Sequence, residues 1–184
     1  MIAFDLYTPP SIVTSRLTLE PLGAAHAERL FEPFSDLALY KFLPSDPPAS
    51  LQAMRERYRR LEMRRSPDGT QLWLNWAVKH PSAYAGLVEA TVNKDASAHI
   101  AYFTFRNFQR QGLASEAVEA VLMHLKNDVG VDRALALVDT RNEASWRMLE
   151  RLGFERHKLI KDADNFKGSS SDEYEYARDL RAGP

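Results

Sequence analysis

The chain of 184 residues contains no cysteine, which excludes several kinds of chemistry. Disulfides, thiolate metal sites and an acyl-cysteine intermediate all need a thiol. Long apolar runs are missing as well. No stretch reaches the roughly 18 residues of a membrane span, and the first residues lack the basic segment and apolar core of a secretory leader. We therefore expect a cytoplasmic protein that binds no membrane.

An excess of charge of one sign is also absent, since 24 Lys and Arg stand against 25 Asp and Glu. This balance argues against nucleic acid as a partner, because phosphate backbones attract strongly basic surfaces. The histidines at 26, 80, 124 and 157 share no metal-ligand spacing, so we expect no metal. The length fits one domain, residues 1–184, with a core of about 12–180. We expect a monomer or a homodimer.

The apolar spacing changes between the period of strands and that of helices, which predicts an α+β fold. Three successive strands, 72–79, 84–92 and 97–105, are separated by short turns and predict an antiparallel meander. A helix ending at Gly130 and a buried strand, 134–138, follow, and this crossover makes the sheet mixed. The other predicted elements are a strand at 15–20, helices at 23–34, 51–65 and 142–152, and strands at 156–161 and 173–180 around a polar loop.

The turn at 109–114, between a predicted strand and a predicted helix, has the features of an anion site. Gly112 permits close backbone approach, and the first amides of the helix lack partners and carry partial positive charge. The alternative is that Gly112 merely eases the turn. The candidate anion-binding residues are Gln109, Arg110, Gln111, Gly112, Leu113, Ala114 and Ser115.

Four motifs, spread over nearly the whole chain, resemble those of the GNAT superfamily and of its RimJ/RimL branch in particular. Q-x-x-G-x-A at 109–114 resembles the acyl-CoA diphosphate loop, and A-S-E-A at 114–117 is similar to the A-T-E-A that continues it. Residues 142–154 resemble the N-x-x-S…L-G-F helix. T-S-R-L-T-L at 14–19 and A-H-I-A-Y at 98–102 are similar to T-x-R-L-x-L and A-E-I-G-Y.

This resemblance implies a GNAT fold: a mixed, mostly antiparallel sheet of six to seven strands, helices on both faces, and a splayed central strand pair. The pantetheine arm of acetyl-CoA would fill the gap between the strands ending near Phe105 and Val138, lined by Phe103, Thr104 and Phe105. From the residues alone, core packing of the two phenylalanines is the simpler interpretation. Asn142 would bind the cofactor, and it is also a good helix N-cap.

The resemblance supplies catalytic candidates, with one departure from the family pattern. A tyrosine protonates the departing thiolate in many GNAT enzymes, but the matching residue here is Leu149. Ser145 is similar to the RimJ/RimL serine near the thioester sulfur, unless it only satisfies backbone in the first helical turn. His99 stands where the family often has a Glu, and an imidazole titrates in a range suited to a base. Glu89 is the next candidate, because a lone strand histidine is more often a surface residue.

We predict single-displacement transfer of an acetyl group from acetyl-CoA to a primary amine, without a covalent enzyme intermediate. The acceptor is either a protein N-terminal α-amine or a small amine such as a polyamine, an amino-acid derivative or an antibiotic. A non-catalytic acyl-CoA-binding module is a further alternative. The arginine-rich helix 51–65 is a solvated face or, through Arg55 and Arg59, a surface that favours an acidic acceptor.

Overall fold

The computed structural model describes residues 7–181. Residues 1–6 and 182–184, the two ends of the predicted domain, lie outside the described part of the chain. Within that part the chain forms one sheet with helices on both of its faces, so the expected α+β class is confirmed.

The sheet has eight strands in the spatial order β1-β2-β3-β4-β5-β6-β8-β7. Their bounds are β1 Ile12–Val13, β2 Thr18–Pro21, β3 Gln71–Lys79, β4 Tyr84–Asn93, β5 Ser97–Thr104, β6 Arg133–Asp139, β7 Glu155–Phe166 and β8 Ser169–Asp179. The expected number was six to seven, and the two-residue β1 accounts for the eighth strand. Among the described strands, neighbours run antiparallel except β5 and β6, which are parallel.

Four α-helices of the described residues cover the sheet: α1 Ala27–Phe34, α2 Leu51–Leu61, α3 Leu113–His124 and α4 Glu143–Arg151. Apolar side chains of α3 and α4 pack with alternate residues of β3 to β6, such as Trp76 and Ile100, in one core. Those of α1 and α2 pack with the intervening residues, such as Ala77 and Leu87, in a second core on the opposite face. The period-two alternation of the central strands therefore assigns each residue to one face.

The parallel pair β5 and β6 diverges along its length. The two strands pair at Ser97↔Arg133, Ala98↔Ala134 and His99↔Leu135, and both continue without further pairing, to Thr104 and to Asp139. The expected splayed pair is thus present. Beyond His99 and Leu135, backbone groups on the facing edges of the two strands have no partner on the opposite strand.

Two sequence predictions of local structure were wrong. Helix α2 ends at Leu61 rather than at residue 65, and Arg64 adopts a φ of 59°, which a helix does not allow. The predicted polar loop between the last two strands is instead a long hairpin, because Lys167 and Gly168 both take positive φ and form a two-residue turn. Polar residues alone did not reveal that the strands continue to Phe166 and from Ser169.

Replacing Gly86 by Ala is expected to lower the free energy of unfolding by about 1–3 kcal/mol. A Cβ at Gly86 would lie 2.0 Å from the backbone oxygen of Phe103 on β5, so two central strands would have to separate. Gly23→Ala is the matched control, since its Cβ meets the end of the flexible Glu62 side chain. Urea denaturation measures both, and a Gly86→Ala loss no larger than that of Gly23→Ala would contradict the expectation.

Candidate active site

The turn before α3 forms a concave run of backbone amides. Arg110 and Gly112 have φ values of 61° and 76°, and Gly112 is the helix N-cap. The first hydrogen bond of the helix ladder at this end runs from Glu116 N to Gly112 O (3.1 Å). The N–H groups of Leu113, Ala114 and Ser115 precede it and have no partner in the helix itself, so the turn presents the donors that an anion needs.

The glutamines of the turn hold the loop together rather than reaching outward. Gln109 Nε2 donates to Thr104 O (2.9 Å) and Gln111 Nε2 donates to Asn107 O (2.8 Å). The side-chain donor of Gln111, one of the candidate anion-binding residues, is thus engaged within the loop. Arg110 is exposed at its rim.

Glu116 joins this turn to the segment before β2. Its carboxylate accepts hydrogen bonds from the Thr14 hydroxyl (2.6 Å), the Ser15 hydroxyl (3.1 Å) and both the backbone N (3.0 Å) and Nε (2.7 Å) of Arg16. Arg16 Nη1 also donates to Gln111 O (2.9 Å). Burial alone would raise the pKa of Glu116, but these donors lower it to about 2. Two distant sequence motifs therefore form one hydrogen-bonded unit.

The strand end that was predicted to line the pantetheine arm offers mostly backbone. The ring of Phe103 lies 5.1 Å from that of Phe34, and the ring of Phe105 lies 5.0 Å from it, both edge to face. Core packing, the simpler interpretation of these side chains, fits this placement. Thr104 is half-buried beside the gap between β5 and β6.

Helix α4 begins on the other side of this gap. Asn142 is its N-cap, and its Oδ1 accepts from Ser145 N (3.3 Å). The Ser145 hydroxyl lies 2.7 Å from the hydroxyl of Tyr102 on β5. Burial raises the pKa of Tyr102 to about 12, although the bond to Ser145 acts to lower it, so this phenol keeps its proton near neutral pH. Leu149, which matches the family tyrosine, is buried in the core.

A cavity of about 350 Å³ lies between α2 and the opposite face of the sheet. Two rows of side chains cross its floor from β3 through β4 to β5. One row is Asn75, Glu89 and Ala101, and the other is Trp73, Thr91 and His99. The cavity is also lined by Arg57 and Leu61 of α2 and by Leu137 of β6. Ala101 and Leu137 both lie beyond the last pairing of β5 with β6, so the cavity adjoins the gap.

The two candidate bases line the same cavity but differ in environment. Burial raises the pKa of Glu89, and the Arg57 guanidinium, 3.1 Å away, acts to lower it. The Glu89 side chain is 19% exposed. His99 is exposed and stands at the last position of β5 that pairs with β6. Both side chains line the cavity, and Glu89 lies farther inside.

The arginines of α2 are placed differently from what the sequence suggested. Arg55 is paired with Glu28 of α1 at 2.7 Å, and Arg59 is exposed. Arg57 is the arginine that lines the cavity. Helical spacing alone did not single it out, because it shows which side chains lie together and not which of them faces the sheet.

Several residues that contribute to the site were not singled out from the sequence. Tyr102 belonged to a quoted motif, yet no role was assigned to it, and its contact with Ser145 spans 43 residues. Asn75 lies in an apolar strand, and this lone polar residue at a buried position was a usable signal. Glu116 was part of a quoted motif, but its partners 100 residues away were not visible.

Within residues 7–181, no group of three or more His, Cys, Asp or Glu side chains is arranged to hold a metal ion. None of the helices described there has both the length and the apolar character needed to cross a bilayer.

Comparison with known proteins adds a family and several relatives. The family described as an acetyltransferase (GNAT) domain matches residues 16–155. The uncharacterized N-acetyltransferase p20 of Bacillus licheniformis is 25% identical over 91% of this chain and 94% of its own length. The structure of RimL, a ribosomal L7/L12 α-N-protein acetyltransferase in complex with coenzyme A, has a TM-score of 0.82 at 21% identity, covering 91% of this chain and 96% of its own. The spermidine N-acetyltransferase of Vibrio cholerae, in complex with CoA and spermine, has a TM-score of 0.80 at 17% identity, covering 91% and 98%.

The anchor at Glu116 makes a pH-dependent contribution to stability. A carboxyl whose folded pKa is about 2, against an ordinary 4.5, adds stability that is fully present above 4.5 and is lost as pH falls towards 2. We expect the difference in unfolding free energy between the parent and Glu116→Gln to be largest above pH ~5 and to shrink on acidification.

Urea denaturation of both proteins at a series of pH values measures this difference. Glu155→Gln, at an exposed position of β7, is the control for a general loss of negative charge. A Glu116 difference that stays constant or widens as the pH falls would exclude the hydrogen-bonded carboxylate as its origin.

Proposed function

Since the chain belongs to the GNAT family of acetyltransferases, we propose that it transfers an acetyl group from acetyl-CoA directly to a primary amine, with a protein N-terminal α-amine as the acceptor. The observation that carries this proposal is the gap between β5 and β6. It lies near the amide-rich turn before α3 and adjoins the cavity that contains Glu89. We treat residues of about 12–180 as the single domain that performs the reaction.

The donor side has the groups that acetyl-CoA requires. The turn at 109–115 offers backbone amides at a helix N-terminus to the diphosphate, with Arg110 at its rim. The unpaired edges of β5 and β6 offer backbone donors and acceptors to the amides of the pantetheine arm. Asn142 and Ser145, at the start of α4, stand on the far side of the gap, where the sulfur of the thioester would lie.

The reaction needs an uncharged amine beside the thioester carbonyl. Glu89 accepts a proton from the acceptor ammonium, directly or through one water, because a buried carboxylate with a raised pKa suits this task. The amine nitrogen then bonds to the carbonyl carbon, while a backbone N–H at the β5 edge stabilises the oxyanion, and the nitrogen releases its second proton to water. The C–S bond breaks as the carbonyl re-forms. His99 is the second candidate for the base.

Tyr102 and Ser145 supply the proton that the departing thiolate takes. Leu149 cannot do this, but the phenol of Tyr102 reaches the Ser145 hydroxyl from β5 at 2.7 Å. Ser145 passes its proton to the thiolate and receives one from Tyr102, whose phenol is protonated before the step. The Tyr102 phenolate then regains a proton from water. A phenol on a neighbouring strand thus replaces the helix tyrosine of other GNAT enzymes.

The charge around the cavity favours an N-terminal α-amine over a polyamine. Arg57 lines the cavity, and Arg59 and Arg60 of the same helix are exposed. A polyamine carries several positive charges, which these side chains repel. A peptide carries one charge at its N-terminus and tolerates acidic residues behind it. The likeness to RimL supports this choice, while the likeness to the spermidine enzyme keeps small amines as the alternative.

Thiol release from acetyl-CoA with a panel of amines separates transfer from mere binding of acyl-CoA. If acetyl-CoA raises the melting temperature of the protein and no amine accelerates thiol release, the chain is an acyl-CoA-binding module and the proposed transfer is wrong. Saturation kinetics with intersecting double-reciprocal lines supports direct transfer, and parallel lines with a trapped acyl-enzyme exclude it.

Glu89→Gln is expected to lower kcat/KM for the acceptor by about 10²–10⁴-fold, because it removes the base and keeps the shape. The KM for acetyl-CoA stays within about twofold, since Glu89 lies away from the phosphate turn. His99→Ala, run beside it, is expected to lose less than tenfold. A larger loss for His99→Ala than for Glu89→Gln would transfer the assignment of the base to His99.

Tyr102→Phe and Ser145→Ala are each expected to lower kcat by roughly tenfold or more, with little change in the KM for acetyl-CoA. The double variant should be no slower than the slower single variant, because the two hydroxyls act in one chain. Tyr176→Phe is the control: this tyrosine shares the same core but its hydroxyl donates to Glu150. Additive losses in the double variant would show that the two hydroxyls act independently.

A further inference from the structure

Asn75 is a buried polar residue whose side-chain amide nitrogen makes no hydrogen bond within the described residues. It is 4% exposed, and its Nδ2 finds no hydrogen-bond partner within residues 7–181. Two other buried side-chain atoms there share this condition, on Arg64 and Ser171, but neither residue lines the cavity above the sheet, whereas Asn75 does. A donor that is shielded from water and unpaired inside the protein is unfavourable unless a ligand pairs with it.

This donor lies next to Glu89, the residue proposed to meet the reacting amine. Asn75 on β3 is directly opposite Glu89 on β4, and both side chains point to the same face. Directly opposed residues of antiparallel strands have Cβ atoms about 4.5–5.5 Å apart. A hydrogen-bond donor and a carboxylate are therefore held next to each other, with Thr91 and Trp73 in the adjacent row of the cavity floor.

We propose that the Asn75 amide binds an oxygen of the acceptor that lies close to the reacting amine, so that the enzyme selects α-amino carbonyl compounds over plain alkylamines. This inference rests on the proposed acetyl transfer and on Glu89 as the group that meets the amine. In an α-amino amide the nitrogen and the carbonyl oxygen are joined through only two carbons. One such group therefore reaches both Glu89 and Asn75.

The same pair of side chains discriminates against acceptors without that oxygen. An alkylamine or a polyamine in its charged form offers donors only, so it satisfies Glu89 and leaves Asn75 Nδ2 unpaired. A site with a buried group reserved for a substrate oxygen rejects analogues that lack the oxygen. Arg57, 3.1 Å from Glu89, adds a positive charge that disfavours a second ammonium group.

Glycinamide and isobutylamine test the inference, because they have the same branched shape and differ in the carbonyl and amide groups. The measured quantity is the ratio of their kcat/KM values in the parent, Asn75→Leu and Asn75→Ala. The difference in basicity between the two amines is the same for every protein and cancels. We expect the glycinamide to isobutylamine ratio to fall by roughly tenfold or more in both variants.

Ser171→Ala is the matched control, since it removes another buried unpaired polar atom that is not in the cavity lining. It should keep the parent ratio. An unchanged ratio in both Asn75 variants would overturn the inference while leaving acetyl transfer intact. Absence of thiol release with any amine would instead count against the proposed function.

A second measurement does not depend on turnover. In the presence of CoA, glycinamide is expected to raise the melting temperature of the parent more than isobutylamine does, and this difference should vanish in Asn75→Leu and Asn75→Ala. Equal shifts by the two amines in the parent would reject selection by Asn75 even if no transfer is seen.

Discussion

The parting of two parallel strands is the constraint on which the rest of this structure depends. In the described chain, β5 and β6 pair from Ser97 to His99 and then separate, which leaves backbone edges without a strand partner in the middle of the sheet. Such edges are unfavourable unless a ligand or water pairs with them. The sheet can carry this gap because β4 holds β5 and β8 holds β6 along their outer sides. The gap then separates the turn at 109–115 and α3 from α4, so the two ends of a long ligand can be held by different elements.

Much of the fold could be predicted from local patterns, because the strands and helices bury one stripe each. The meander of β3 to β5 is one example. Another is the stop at Gly130, which ends the π-helical stretch Leu125–Val129 that continues α3. The β7–β8 hairpin was missed because its outer half is polar and exposed, so apolar alternation carries no signal there. Its turn depends on two positive φ angles, and a lysine such as Lys167 gives no sequence signal for a positive φ.

The two sides of the proposed site differ in how much of them a sequence can indicate. The donor side is contiguous in sequence, so the turn at 109–115 and the cap at Asn142 could be identified from short motifs. The acceptor side is assembled across strands. Glu89 and His99 were considered as single residues, whereas the row that pairs Glu89 with Asn75 depends on strand register. Tyr102 could not be linked to Ser145 without the approach of α4 to β5, which no local pattern encodes.

The order of strands at the edge of the sheet has a consequence for how the chain is made. β8 lies between β6 and β7, although it is the last strand of the described chain. During synthesis, the edge of β6 that pairs with β8 therefore has no strand partner until the segment up to Asp179 has left the ribosome. At the tip of the β7–β8 hairpin, Lys167 Nζ donates hydrogen bonds to the backbone oxygens of Tyr40 and Leu43, far earlier in the chain. The sheet is thus completed only when the C-terminal strand β8 has been made. A chain that ends before β8 exposes the edge of β6, which can pair with a strand of another chain.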